Sequence, residues 1–291
     1  MRVFVTGLTG FLGSSVAREL IADGHDIFAL CRTQAASQVA QTRGATPAIG
    51  DLGSRSSLTS ALEASEAEVV LHLASLGLGH AQEMVGVPSA LGIRRSIFVS
   101  TTAIFTNLNA GSKAVRVAAE KGVTDSGLDW TIIRPTMIYG RPGDRNIERL
   151  LRRVGSLPIL PVPGADSLQQ PVHVDDLARS IVNSIGRPDS IRKSINVPGP
   201  SALTFAELIR TAAKVSGHSV RLVGVPVRPV VSALGLVERT GFNLPISAEQ
   251  VQRLDEDKSF DVSEAVSYLG HKGRTFEEGV ALLHSLIGSS N

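Results

Sequence analysis

The chain is poor in cysteine, in aromatic residues and in excess charge, and each shortage excludes a class of protein. Cys31 is the only cysteine among 291 residues, so no disulfide can form within the chain, and the composition fits a reducing compartment. Lysine and arginine number 29 against 27 aspartates and glutamates, a net charge of +2. This near-balance gives no electrostatic basis for binding nucleic acid or a membrane surface. Aromatic residues make up 4%, which predicts a mainly aliphatic core.

Long apolar runs are also missing. The first run, Val3–Val5, is too short for the hydrophobic region of a signal peptide, and glycines interrupt the next residues. No apolar run reaches the ~18 residues that are needed to span a bilayer. We therefore expect a soluble, cytoplasmic protein without membrane insertion. Its length suits one large domain, or one domain with a small lobe.

Short β-branched runs alternate with longer helical patterns, which indicates a parallel sheet covered by helices on both faces. This α/β pattern predicts a doubly wound, Rossmann-type sheet. The predicted strands are Val3–Thr6, Ile27–Cys31, Thr46–Ile49, Val69–Leu73, Ile97–Ser100, Thr131–Arg134 and Ile195–Val197. The predicted helices are Phe11–Asp23, Ser54–Ala64, Ser112–Ser126, Asp144–Val154, Phe205–Ser216, Val227–Arg239 and Phe276–Leu286.

A glycine-spaced turn, Gly7-Leu8-Thr9-Gly10-Phe11-Leu12-Gly13, joins the first predicted strand to the first predicted helix. The first glycine permits a sharp turn, the second lets the backbone approach a pyrophosphate, and the third lets the helix pack on the strand. The N–H groups at the helix start then face the phosphates. The first gap is one residue wider than the usual pattern, and a turn without a ligand is the alternative. The strand–turn–helix context favours dinucleotide binding.

Further short motifs occur after the turn at regular points: Gly50-Asp51-Leu52, His72-Leu73-Ala74, Phe98-Val99-Ser100-Thr101, Ser112-Lys113, Arg134-Pro135 with Tyr139-Gly140, and Val172-His173-Val174-Asp175-Asp176. Their order and spacing resemble the extended short-chain dehydrogenase/reductase family, in its epimerase/dehydratase group, over essentially the whole chain. The resemblance implies a Rossmann domain of residues 1–154 and 172–200. It also implies a small, mostly helical C-terminal substrate lobe of residues 155–171 and 201–291.

The end of the second predicted strand carries Arg32 where an acid would favour NAD. A guanidinium binds a phosphate in a bidentate manner, so we expect NADP(H), with NAD(H) and a solvated surface arginine as the alternatives. By resemblance, Asp51 and Leu52 hold the adenine; the alternative is that Asp51 caps the helix near Ser54. The predicted cofactor-binding residues are Gly7, Thr9, Gly10, Phe11, Leu12, Gly13, Arg32, Asp51, Leu52, Leu73, Ala74, Ser75, Ser100, Lys113 and Pro135.

The predicted catalytic centre departs from the family pattern. In the family, a tyrosine four residues before a lysine exchanges the proton during hydride transfer, and a Ser or Thr orients the substrate oxygen. Here the lysine is Lys113, Thr101 fits the Ser/Thr role, and Asn109 stands in the place of the tyrosine. An amide does not exchange a proton near neutral pH, so Asn109 only hydrogen bonds. His72 is expected to be a packed core histidine and His80 a surface loop residue near the mouth of the site.

Other residues are assigned supporting roles. Tyr139 occupies a position where the family has a structural tyrosine, and His173 and Asp175–Asp176 are expected to be structural. Arg141 and Arg145 are read as loop cations, with an anionic substrate as the alternative. No metal site is predicted.

Two functions remain open. The first is an NADP(H)-binding, epimerase/dehydratase-like oxidoreductase that acts on a small carbonyl or alcohol substrate, because the segment between the fourth and fifth strands is short. The second is a non-catalytic NAD(P)-binding sensor or accessory subunit, which the missing tyrosine favours. The helix predicted over Ser112–Ser126 carries apolar positions that either pack across a homodimer or cover the sheet, so a homodimer is left open.

Overall fold

A computed structural model describes residues 1–108, 111–144, 146–155, 158–238 and 247–288. The chain forms two compact units. Unit 1 comprises Met1–Pro135, Val174–Val197 and Val262–Lys272. Unit 2 comprises Thr136–His173, Pro198–Asp261 and Gly273–Asn291.

Strands and helices alternate through the first half of the chain. The strands are β1 Arg2–Thr6, β2 Asp26–Cys31, β3 Thr46–Ile49, β4 Val69–His72, β5 Arg95–Val99, β6 Asp129–Pro135, β7 Ile138–Tyr139, β8 Ile159–Pro163, β9 Leu168–Gln169, β10 Val172–His173, β11 Lys193–Val197, β12 Leu203–Thr204 and β13 Arg221–Val225. The α-helices are α1 Phe11–Ala22, α2 Gln34–Thr42, α3 Arg55–Ser65, α4 Ala81–Ala90, α5 Gly111–Thr124, α6 Ile147–Val154, α7 Val174–Asn183, α8 Phe205–Val215, α9 Val227–Glu238, α10 Ala248–Leu254, α11 Ser263–Leu269 and α12 Phe276–Gly288.

Unit 1 is built on a seven-stranded sheet in the order β3-β2-β1-β4-β5-β6-β11. Every pairing in it is parallel. The strand order reverses between β1 and β4, which is the point where doubly wound sheets bind their ligands. The predicted Rossmann-type fold is therefore confirmed, and β3 has the predicted bounds.

The sheet core forms from the apolar strands. Val3, Phe4 and Val5 are fully buried, as expected for a parallel strand with helices on both faces. On one face, Phe4 packs in a cluster with Val70, Phe98 and residues of α3 and α4. This packing fixes the strand ends from which the candidate site is built.

Helices α2, α4 and α11 of unit 1 were not predicted. Helix α2 is polar and short, and it begins where Thr33 Oγ1 accepts from the Ala36 N–H (3.1 Å). Helix α4 contains Gly86 and Pro88, which disfavour a helix in sequence-based reasoning, yet Pro88 lies close to its last residue. Helix α4 instead forms because Met84 and Val87 are buried in the core.

Among its described residues, unit 2 contains three two-stranded pairs, β7 with β10, β9 with β12 and β8 with β13. Helices α6, α8 and α12 pack around Tyr139, which is fully buried. Helix α6 begins later than predicted, at Ile147 rather than Asp144. Asp144 instead accepts from the Asn146 N–H (2.7 Å) and the Ile147 N–H (3.3 Å), so its carboxylate precedes the helix. Burial raises the pKa of Asp144.

Two further observations bear on the chain as a whole. Cys31 is buried at the end of β2, and its burial raises the pKa of the thiol. Within the described ranges, no helix has the length and apolar character needed to cross a membrane.

Candidate functional site

The predicted cofactor residues of unit 1 gather at one edge of the sheet. The glycine turn comes after β1, Arg32 after β2, Asp51 after β3, Leu73 after β4 and Ser100 after β5. Because all these strands are parallel, their carboxyl ends share one edge. The predicted cofactor residues that follow these strands therefore lie at the same edge of the sheet.

The glycine turn has the geometry of a close-packed phosphate loop. Gly7 adopts a φ of 78°, and a Cβ there would lie 2.8 Å from the Ala74 backbone nitrogen. A Cβ on Gly13 would lie 2.0 Å from the Leu8 carbonyl oxygen. The Gly10 N–H donates to the Gly7 carbonyl (3.0 Å). Only glycine fits at Gly7 and Gly13, because the neighbouring backbone occupies the space of a side chain.

Helix α1 begins without a side-chain cap. Gly10 is its N-cap residue, and its first turn carries no acid. Helices α2 and α3 differ, because Thr33 and Ser54 cap them. Orphan N–H groups and the positive end of the helix dipole suit an anion. This turn therefore fits the pyrophosphate of a dinucleotide.

The end of β2 presents an exposed cation. Arg32 is exposed and comes directly after β2. No acid stands between β2 and the start of α2. The end of β2 therefore carries a positive charge that no acid in this short connection offsets.

The loop after β3 excludes the alternative that Asp51 caps α3. Ser54 Oγ accepts from the Ser57 N–H (3.4 Å) and caps α3, so Asp51 is not the cap. Asp51 Oδ1 accepts from the Gly53 N–H (2.8 Å) and forms the turn that leads to the helix. The His80 ring lies beside this turn, since its Cε1 is 3.8 Å from the Cβ position of Gly53. His80 therefore lies next to the predicted adenine-binding residues.

The loop after β4 is held by backbone and side-chain bonds. The Leu73 N–H donates to the Thr6 carbonyl (3.0 Å), and Ser75 Oγ accepts from the Gly77 N–H (3.2 Å). Arg116 on α5 packs against this loop, with its Nε 3.1 Å from the Cβ position of Gly77. Sequence reasoning did not single out Arg116.

His72 is a core residue, as expected. It is buried, and its Nδ1 shares a hydrogen bond with Thr6 Oγ1 (2.6 Å). Its ring meets Phe98 edge-on at 6.0 Å. Burial, with a smaller effect from His80, lowers the pKa of His72 to about 3. The imidazole is neutral at physiological pH and is enclosed in the sheet.

A buried ion pair lies behind the end of β5. Ser100 Oγ donates to Glu120 on α5 (2.5 Å), and the Arg134 guanidinium donates to both oxygens of Glu120. Arg134 also lies over the Phe105 ring at 5.4 Å. Sequence reasoning missed Glu120, although a charged Arg134 inside an apolar strand requires a carboxylate partner. The network fixes the strand end that carries Thr101.

The predicted catalytic residues are only partly described. Thr101 Oγ1 accepts from the Ala103 N–H (3.2 Å), and Lys113 Nζ donates to the Thr106 carbonyl (2.5 Å). Thr102 Oγ1 donates to the carbonyl of Pro135 (3.3 Å) at the end of β6. Asn109 and Arg145 lie outside the described residues.

The supporting residues have structural contacts. In unit 2, Tyr139 meets the His173 ring edge-on at 5.4 Å and Phe276 at 5.2 Å. In unit 1, Asp175 accepts from Ser15 Oγ (2.7 Å) and Arg18 Nη2 (2.7 Å) and thereby joins α7 to α1. Within the described ranges, no cluster of three or more His, Cys, Asp or Glu side chains is arranged to hold a metal ion.

The parallel sheet and the uncapped glycine turn define a Rossmann-type dinucleotide-binding protein. Comparison with known families agrees with this class. The chain belongs to the NAD(P)H-binding family, whose model matches residues 7–188.

Known proteins with similar sequences and structures include reductases and epimerases. A ceramide reductase of Caulobacter vibrioides is 29% identical over 247 residues, covering 81% of this chain and 77% of that protein. The NADPH complex of an Escherichia coli NADPH-dependent quinone oxidoreductase has a TM-score of 0.75 at 22% identity, over 97% of this chain and 99% of that one. A Thermus thermophilus UDP-glucose 4-epimerase in complex with NAD has a TM-score of 0.76 at 20% identity, with 100% of both chains covered.

The chain spans about a quarter of the length of some of its relatives. It is 26% identical to an uncharacterized protein of Mycobacterium tuberculosis over 82% of this chain, but over only 26% of that protein. The similarity to the solved structures shows a shared Rossmann-type α/β fold.

Proposed function

We propose that the chain is an NADPH-dependent oxidoreductase that acts on a small carbonyl or alcohol substrate. The observation that carries the proposal is the glycine turn, where Gly7 and Gly13 leave no room for side chains and α1 starts without a cap. A backbone cradle of this kind binds a pyrophosphate through its N–H groups. The reductase names of two similar proteins support oxidoreductase chemistry.

Preference for NADPH over NADH is assigned to Arg32. The guanidinium is exposed at the end of β2, and it makes no hydrogen bond or ion pair with another described residue. It is thus available to bind a 2′-phosphate in a bidentate manner. Asp51 and Leu52 are the proposed adenine contacts.

The substrate is assigned to Thr101, after the end of β5, and the nicotinamide ribose to Lys113, near the start of α5. When bound, the nicotinamide supplies or accepts the hydride. Thr101 Oγ1 already accepts from Ala103, so its hydroxyl hydrogen is left to donate to a substrate carbonyl oxygen. Lys113 is the proposed ribose contact. The alternative of a non-catalytic sensor rests on Asn109, and the two reductase names do not favour it.

Cofactor titration tests the proposal. We expect NADPH to bind more tightly than NADH by isothermal titration calorimetry, and we expect oxidation of NADPH with a panel of aldehydes and ketones. Arg32→Gln is expected to weaken NADPH binding about tenfold or more while leaving NADH binding unchanged, because it removes a charge-assisted bidentate contact.

Arg94→Gln is the matched control, since Arg94 is exposed and pairs with Asp129. Its affinities are expected to match the wild type. Absence of NADPH binding contradicts the cofactor proposal. Equal loss of both cofactors in Arg32→Gln contradicts the assigned selectivity. Tight binding without turnover on any carbonyl supports the sensor alternative instead.

A further inference from the structure

Arg43 reaches the glycine turn from a helix that the sequence motifs do not include. It is the C-cap residue of α2, and it lies 35 residues from Leu8 in the chain. Its Nη1 donates to the Leu8 carbonyl oxygen and, at 3.0 Å, to the Gly10 carbonyl oxygen. One guanidinium nitrogen thereby holds two carbonyl groups of the turn.

We propose that Arg43 is a positioning residue that orients the N–H groups of the turn toward the cofactor pyrophosphate. In a trans peptide the N–H points opposite to the C=O, and the chain contains no cis peptide in the ranges that the structure describes. Holding the Leu8 carbonyl therefore directs the Thr9 N–H away from Arg43. Holding the Gly10 carbonyl does the same for the Phe11 N–H.

These two N–H groups suit a ligand. In the part of the chain that the structure describes, neither donates to another residue, whereas the Gly10 N–H is used by Gly7. The Phe11 N–H also belongs to the first turn of α1, where the helix dipole favours an anion. Arg43 thus acts on the same peptides that form the proposed phosphate cradle.

The Leu8 carbonyl is enclosed from two sides. Gly13 lies so close that a Cβ would be 2.0 Å from the oxygen, and Arg43 supplies the donor. A buried carbonyl without a donor is costly, so loss of Arg43 favours rotation of the Leu8–Thr9 peptide. Rotation turns the Thr9 N–H away from the ligand. The positive charge of the guanidinium also lowers the potential energy of an anion nearby.

This role differs from that of Arg32 and rests on the proposed dinucleotide site. Arg32 is assigned to the 2′-phosphate, which only NADPH carries. Arg43 acts through the turn on the pyrophosphate, which NADPH, NADH and ADP all carry. The two arginines therefore predict different patterns of loss.

The test uses the full chain with three variants, Arg43→Met, Arg43→Lys and the surface control Arg94→Met. We expect Arg43→Met to weaken NADPH, NADH and ADP about equally, on the order of tenfold, in calorimetric titrations. Arg43→Lys keeps the charge and one donor group, so it is expected to restore part of the affinity. Arg94→Met is expected to bind all three ligands like the wild type.

The ratio of NADPH to NADH affinity distinguishes positioning from direct contact. An unchanged ratio in Arg43→Met, with partial rescue by lysine, supports the inference. Loss of NADPH affinity alone identifies a 2′-phosphate contact and overturns it, as do wild-type affinities in a folded Arg43→Met. If Arg43→Met does not fold, the folded Arg43→Lys variant is used instead: a partial and equal loss of affinity for NADPH, NADH and ADP supports the inference, and wild-type affinities or a loss for NADPH alone overturn it. A wild type that binds none of the ligands contradicts the proposed function, whatever the variants do.

Discussion

His72 shows how burial sets the charge of a single residue. Its ring lies inside the sheet, where it contacts Thr6 and Phe98, and its pKa is lowered to about 3. In an unfolded chain a histidine has a pKa of about 6.5. The unfolded chain therefore binds a proton more readily than the folded chain between these two values.

Stability is expected to fall as the pH drops from about 6.5 toward 3. Below about pH 6.5, His72 binds a proton in the unfolded state but not in the folded state. The free energy of unfolding therefore decreases by up to about 1.4 kcal/mol per pH unit. Above pH 6.5 this contribution is constant. Urea unfolding of wild type and His72→Gln between pH 7 and pH 4 measures the effect, and the variant is expected to show the shallower decline.

His284→Gln is the control, because His284 is exposed on α12. Its pH profile is expected to match the wild type. Identical slopes for wild type and His72→Gln contradict the assignment.

Helix α5 and strand β6 are joined by the Glu120–Arg134 pair. The two side chains are 7% and 17% exposed, and Glu120 also accepts from Ser100. A buried pair is costly to break from one side, because the remaining charge loses its partner. The stability of unit 1 is therefore expected to depend on both charges of this pair being present.

Glu120→Gln is expected to lower the free energy of unfolding by about 3–5 kcal/mol, because it leaves the Arg134 charge buried without a counter-ion. Lys121→Gln is the neighbouring control: Lys121 is 74% exposed and pairs with Asp125 one turn on. We expect that variant to change stability by less than about 1 kcal/mol. The midpoints of urea unfolding of the two variants and the wild type measure these changes in stability. Equal effects of the two substitutions would argue against a structural role for the buried pair.

Cofactor binding and folding are linked across the whole molecule. A ligand that binds only the folded chain raises the free energy of unfolding by about 2.7 kcal/mol at a concentration 100 times its dissociation constant. We expect saturating NADPH to raise the melting temperature of the wild type in differential scanning fluorimetry. Gly13→Ala is expected to lose this rise, because a Cβ 2.0 Å from the Leu8 oxygen distorts the turn.

The matched control is Gly122→Ala in α5, where a Cβ meets nothing within 4 Å. It is expected to keep the full response to NADPH and to gain slightly in stability, since alanine favours a helix over glycine. A normal NADPH response in Gly13→Ala would exclude the glycine turn as the cofactor site.

The fold was largely predictable because its signals are local. Apolar runs such as Val3–Val5, together with the glycine turn after them, predict strand, turn and helix from neighbouring residues alone. Helix α4 was missed because Gly86 and Pro88 argue against it locally, while core packing favours it. Arg43 and Glu120 were missed because their roles depend on contacts between distant parts of the chain.

Some predictions on the whole molecule stay predictions. The division of residues into a dinucleotide domain and a substrate lobe, the role of Asn109 and the cytoplasmic location are among them. The homodimer is another. Val115 and Val117 on α5 are 42% and 47% exposed, so this helix presents apolar side chains to solvent.

The buried thiol of Cys31 has a practical consequence for studying this protein. It is the only cysteine in the chain, it is enclosed at the end of β2, and its raised pKa keeps it in the unreactive thiol form. A cysteine introduced at an exposed position therefore reacts with a maleimide dye far faster than the native residue. Single fluorophores can thus be attached at chosen sites in the otherwise natural sequence.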